Sequence, residues 1–205
     1  MSAPSFDPKD LTKEKRLWDI YIASKRIPFS RFNAITTALV FVLLLANSWF
    51  TTQPVEQTIE LVRELSKTGL AVALSTLGFL LAGFTIFATV TQPSLSLRMS
   101  EITHPDSGLS YLKHNYFVFI RVFIYYLAFS IFCLLIIMFG HEGGLVPLVA
   151  SYSPYPEHVK FAITKVSYVI LLTGYYFLVM QLKSFIFNIH HSVMTSLRWK
   201  AEGYE

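Results

Sequence analysis

The chain has one cysteine, Cys133, among 205 residues, which excludes a disulfide framework and a paired-cysteine metal site. Charge is also scarce. Asp, Glu, Lys and Arg make up 15% of the chain, against about 25% in an ordinary soluble domain. All 13 acidic residues lie outside the long apolar runs. This argues against a proton-coupled transporter, which places carboxylates at membrane depth. There is no Gly-rich phosphate loop, no His-Glu-x-x-His helix, no Gly-x-Ser-x-Gly elbow and no paired-Cys motif. An enzyme, a metal centre and a bound cofactor are therefore not expected. No Lys/Arg cluster is dense enough for a nucleic-acid groove, so direct nucleic-acid binding is not expected either. No cleavable signal peptide is expected, because residues 1–32 are too charged and the first apolar run starts too late. That run would itself act as the insertion signal.

Apolar residues are abundant, at 53% of the chain, and they fall into four blocks: 34–50, 69–90, 116–139 and 166–182. Each block is long enough, at about 1.5 Å rise per residue, to approach or exceed the length of a bilayer crossing. The expected fold is an all-α polytopic membrane protein with four transmembrane helices, spanning about 33–50, 69–91, 116–139 and 163–185. Lysine and arginine set its orientation. Eleven lie in residues 1–32, the 92–115 loop and the C-terminal tail, against three in the other loops (Arg63, Lys67 and Lys160). Both termini are thus expected in the cytoplasm. The net charge of +4 then reads as a membrane anchor.

This pattern divides the chain into three parts: a basic amphipathic cytoplasmic segment (1–32), the membrane domain (33–187) and a cytoplasmic helical extension (188–205). Residues 9–27 have a helical pattern in which Leu11, Trp18, Tyr21 and Ile22 gather to one side. Such a helix can lie on anionic lipid or dock on a protein. Pro28 ends it. Pro54 marks the start of a short amphipathic helix carrying Val55, Ile59 and Val62, expected outside the membrane and able to continue into the second span. In the 92–115 loop, Leu95, Leu97, Met99 and Ile102 are apolar enough to fold back onto the membrane domain. The piece 145–150 is apolar but too short to span. The fourth helix should run without a break from Phe161 to about Trp199, ~57 Å if unbroken. Its last ~20 Å is expected to project into the cytoplasm, exposing a stripe of Ile186, Ile189, Val193 and Leu197 for a protein partner.

The second block has the clearest internal order. Ala71, Ser75, Gly78, Ala82, Thr85 and Thr89 recur at alternating spacings of three and four, which places them on one helix face. The rest of the block is mostly Leu, Val, Phe and Ile. Membrane helices segregate small from large side chains in this way where they pack closely. The face can serve packing within the chain, a homo-oligomer interface or a pore lining. It lacks the ring of charge used by many ion filters.

Other polar residues have simpler readings. Arg121 lies within the third span. It can snorkel to the headgroups, pair with Glu101 or Asp106 from the loop, or bind lipid phosphate. Lys165 and Lys183 mark the ends of the fourth span and are expected to snorkel. The pairs His141-Glu142, Glu157-His158 and His190-His191 are expected to be solvated rather than metal-binding. The aromatics of the third span, from Tyr116 to Phe132, are expected to pack helices or face lipid.

In size, span count and the segment Leu81-Ala82-Gly83-Phe84-Thr85-Ile86-Phe87 followed by Gln92-Pro93, the chain resembles the KwaA family, the membrane subunits of the Kiwa anti-phage defence system. That resemblance implies a homo-oligomeric sensor in the bacterial inner membrane that holds a cytoplasmic, DNA-binding partner. It carries over no catalytic residue. The residues themselves suit a non-enzymatic scaffold or sensor that contacts membrane lipids, copies of itself and a cytoplasmic protein. The alternative is a channel or pore-forming effector that depolarises the membrane.

Overall fold

The computed structural model describes residues 7–203. Among them are seven α-helices and no strands: α1 Leu17–Ser24, α2 Arg31–Phe50, α3 Val55–Val90, α4 Pro93–Glu101, α5 Tyr111–Phe139, α6 Leu145–Ser151 and α7 Pro156–Ala201. Helices α2, α3, α5 and α7 are long and apolar enough to cross a membrane, so the chain is an all-α, multi-pass membrane protein. A bilayer forces this choice. Every backbone N–H and C=O must find a partner without water, and a helix supplies all of them internally.

The amphipathic turn after Pro54 is continuous with the second span, so α3 has 36 residues. The fourth helix is longer than its sequence pattern implied, starting at Pro156 and running 46 residues, about 69 Å at ~1.5 Å per residue. Residues 9–27 are not one helix. A short 3-10 turn, Pro8–Thr12, comes first, and α1 begins anew at Leu17. The break has a local chemical cause. Asp7 caps the turn by accepting from the Lys9 N–H, and the Asp19 carboxylate accepts from the Arg16 N–H at 3.0 Å, one half of a capping box that starts a new helix. The 92–115 loop also gains a helix. Pro93 opens α4 at a position where its missing N–H costs nothing, and Leu95 is buried.

The chain divides into two compact units. The first comprises Met1–Phe29, Gly78–Ile124 and Gln181–Glu205. Its core is aromatic. Phe87 and Phe119 lie 4.8 Å apart, and Phe119 meets Phe185 edge-on at 5.2 Å. Phe84 packs edge-on against Tyr116, Phe119 and Phe123. Offset and edge-on pairs of this kind add about 0.5–1.5 kcal/mol beyond area burial. The aromatics at this end of the third span are therefore packing residues. A smaller cluster of Ile27, Leu109 and Phe117, with Ile20 and Ala23 against it, seats α1 in the same unit. Trp18 and Ile22 remain exposed on its outer side.

The second unit comprises Ser30–Leu77 and Tyr125–Met180. Within it, α2 is mostly exposed, and only Asn33 and Ser48 are buried on it. Polar contacts hold it to α7. Asn33 Nδ2 donates to the Met180 carbonyl at 3.1 Å, and the Lys165 ammonium donates to the Ser48 carbonyl. Tyrosine hydroxyls do similar work deeper in the unit. Tyr126 donates to the Leu178 carbonyl at 3.0 Å, and Tyr175 to the Leu65 carbonyl at 2.6 Å. Interhelical hydrogen bonds of this type matter in a membrane because burial of apolar surface gives helices little reason to leave lipid.

Candidate functional site

Helix α3 has two contrasting faces. Val62, Ser66, Gly69, Ala73, Leu80 and Phe87 form a buried seam at helical spacing. The small-residue stripe lies elsewhere: Ala71, Ser75, Gly78, Ala82, Thr85 and Thr89 are all exposed. Among the described residues, none covers this face enough to bury any of the six. A Cβ built at Gly78 would meet nothing within 4 Å. The Thr85 hydroxyl donates to the Leu81 carbonyl at 2.9 Å, and the Thr89 hydroxyl to the Thr85 and Ile86 carbonyls at 3.0 Å. Both hydroxyls are satisfied by their own helix, as Ser and Thr commonly are in a helix interior.

The glycines that admit close neighbours are others. A Cβ at Gly83 would come within 2.8 Å of Ile189 Cδ1 and 3.2 Å of Phe185 Cε1. At Gly69 it would meet Tyr175 Oη at 2.8 Å and Cys133 Sγ at 3.0 Å. At Gly174 it would meet the Phe129 ring at 2.6 Å. The space at Gly69 has a clear use, since it lets the Tyr175 hydroxyl reach the Leu65 carbonyl. The spacing Gly69, Ala73, Leu80, Phe87 was readable as a helix face, but its mixture of small and large residues stands out less than the uniformly small stripe.

The expected partner-docking stripe on α7 divides in two. Ile186 and Leu197 are exposed, whereas Ile189 and Val193 are partly covered. Ile189 lies against Gly83 of α3, and the Ser196 hydroxyl donates to the Val90 carbonyl at 3.1 Å. The end of α7 thus packs on its own chain instead of projecting alone. Its outward side carries Ile186, Phe187, Met194 and Leu197, each more than half exposed.

Arg121 takes partners that the sequence did not suggest. Its Nη1 donates to the carbonyls of Ser24 at 3.1 Å and Ile27 at 3.0 Å. Its guanidinium lies 6.0 Å from the centre of the Phe29 ring. A cation at the C-terminus of a helix satisfies carbonyls that the helix cannot, and it also meets the negative end of the helix dipole. Lys165 serves α2 in the same way. Its ammonium reaches the Ser48 and Thr51 carbonyls and lies 4.5 Å from the Phe161 ring centre. Lys165 is therefore a structural clamp, where snorkelling was expected. Each cation ties the end of a preceding helix to a span distant in sequence, so nothing in the neighbouring residues signals the pairing.

The loop between α4 and α5 forms a tight reversal. Gly108 adopts a φ of +66°, a conformation open to glycine because it lacks a Cβ. His104 and His114 stack across this turn at 3.7 Å, and the Ser107 hydroxyl lies 2.9 Å from His114 Nδ1. Among the described residues, no three His, Cys, Asp or Glu side chains come together to hold a metal ion. Comparison with known proteins gave no match to any family model, any curated protein or any solved structure.

Proposed function

We propose that the chain is a non-enzymatic sensor or scaffold subunit that assembles with copies of itself. In this reading it anchors a cytoplasmic effector at the bacterial inner membrane, with both termini in the cytoplasm, in anti-phage defence. The open small-residue face of α3 carries the reading. It runs from Ala71 to Thr89, its six residues are all exposed, and it has room for a neighbour at Gly78. Small residues let helix backbones approach closely, and close approach is a principal source of helix association in lipid. The resemblance to the Kiwa membrane subunits is the ground for the defence role. The exposed Ile186, Phe187, Met194 and Leu197 on α7 supply an apolar face for the effector. The internal hydrogen bonds of Thr85 and Thr89 favour a packing face over a water-filled pore, because neither hydroxyl needs water.

Gly78→Ile tests the reading well, because a Cβ at this position meets nothing within 4 Å. Expected is an unchanged helical circular dichroism spectrum with a complex reduced in mass, measured by light scattering after detergent extraction. An unchanged mass would overturn the assembly interface. Purified protein in liposomes is expected to pass no ions. Flux that responds to Thr85→Leu would instead establish the channel reading.

A further inference from the structure

The second unit contains a cavity of about 700 Å³ bounded by α3, α5, α6 and α7. This is within the range of roughly 300–1,000 Å³ typical of small-molecule sites. No residue of the α3 stripe lines it, so its role is independent of the assembly interface. Two chemistries meet in it. Its walls include Phe132, Leu135, Ile136, Phe139 and Ile163, all on candidate membrane-spanning helices. The remaining lining includes Glu56, Glu60, Arg63, Glu142 and Lys160.

These charges form two ion pairs of a particular kind. Arg63 Nη1 lies 3.3 Å from Glu142 Oε1, and Lys160 Nζ lies 3.4 Å from Glu56 Oε1. Tight charge-assisted bonds measure roughly 2.7–2.9 Å, so both pairs are loose. The Glu142 and Glu56 side chains are 92% and 73% exposed. Pairs this exposed contribute little to stability and exchange partners at little cost. Arg63 is nonetheless held in place, because its Nε donates to the Gly140 carbonyl at 3.1 Å. The site therefore offers a positioned guanidinium, an ammonium and three carboxylates above an apolar chamber.

Helix α6 forms one side. Val146, Pro147 and Ala150 line the cavity, while Leu145, Leu148 and Val149 are exposed. This short helix is thus apolar towards both the cavity and its surroundings.

We propose that this cavity binds a zwitterionic single-chain amphiphile, such as a lysophospholipid. Its alkyl chain lies among Leu135, Ile136 and Ile163. Its phosphate accepts from Arg63 and Lys160, and its ammonium group is matched by Glu56, Glu60 and Glu142. Because both ion pairs are loose, a zwitterionic head can engage the cations and the carboxylates of the lining at once.

The full-length chain in maltoside micelles can be titrated with myristoyl lysophosphatidylcholine carrying a diazirine on its chain, and crosslinked peptides mapped by mass spectrometry. Expected is saturable labelling around Ile59 and Leu135. Unlabelled lysophosphatidylcholine should compete at least about tenfold better than myristate or an alkyltrimethylammonium. Val146→Trp should weaken labelling about tenfold by filling the chamber. Should that variant fail to run as a single species on gel filtration, Ile163→Trp fills the chamber from α7, and Arg63→Gln reads the head contact while leaving the apolar walls intact. Labelling that spreads without saturation over all apolar faces would overturn the site. So would labelling unchanged in folded Trp variants. Equal competition by either singly charged amphiphile would overturn the head assignment.

Discussion

Gly78 and Gly83 stand five positions apart on α3, in the same apolar stretch. Their surroundings are opposite. Gly83 is pressed by Ile189 and Phe185, while Gly78 has no neighbour within 4 Å. Gly69 lies on the same side as Gly83, against Tyr175, Cys133 and Phe129. One face of α3 is thus a solved packing problem, with polar and small residues fitted to defined partners. The other carries the small residues from Ala71 to Thr89, all exposed among the described residues. In a soluble helix, polarity would separate an inside from an outside. In a membrane helix both faces are apolar, and shape alone distinguishes them.

Three substitutions test how far that distinction holds. Gly69→Leu should have the largest effect, because its first neighbours are a tyrosine hydroxyl engaged in a hydrogen bond and a buried thiol. A loss of about 3 kcal/mol is expected, the upper end of the range for overpacking, read as a fall of several degrees in thermal midpoint in detergent. If the midpoint holds, the seam is not close-packed. Gly83→Leu should cost less, about 1–2 kcal/mol, since the nearest atom is the flexible end of Ile189. The companion change Ile189→Ala should restore part of the loss, and absence of rescue would separate these two residues. Gly78→Ala should have the smallest effect, and of the opposite sign. With nothing to meet, it gains up to about 1 kcal/mol of helix propensity, seen as a slightly raised midpoint. A lowered midpoint in the monomeric state would mean that the two faces are not different after all.

The site was legible in the sequence unevenly. The stripe from Ala71 to Thr89 was visible because period alone reveals a helix face. Which partner it meets was not, since period does not say whether a face looks inward or outward. On α7, the apolar positions Ile186, Ile189, Val193 and Leu197 were visible in the same way, yet α3 covers Ile189, and only an arrangement in space can say so. Arg121 and Lys165 were visible as charges in apolar surroundings. Their partners are the carbonyls of Ser24, Ile27, Ser48 and Thr51, and backbone carbonyls carry no signature in a sequence. The Lys160–Glu56 pair of the cavity joins α7 to α3 across about a hundred positions, so neither partner announces the other.

What the sequence by itself determined is the class of fold and its four long helices. A bilayer of fixed thickness and without water leaves few options, and length with hydropathy is enough to read them. What only the tertiary structure decided is the facing of each helix, the partners of Arg121 and Lys165 and the chamber between α3, α5, α6 and α7. Those depend on how side chains interlock at van der Waals distance, and that information resides in pairs of residues far apart in the chain.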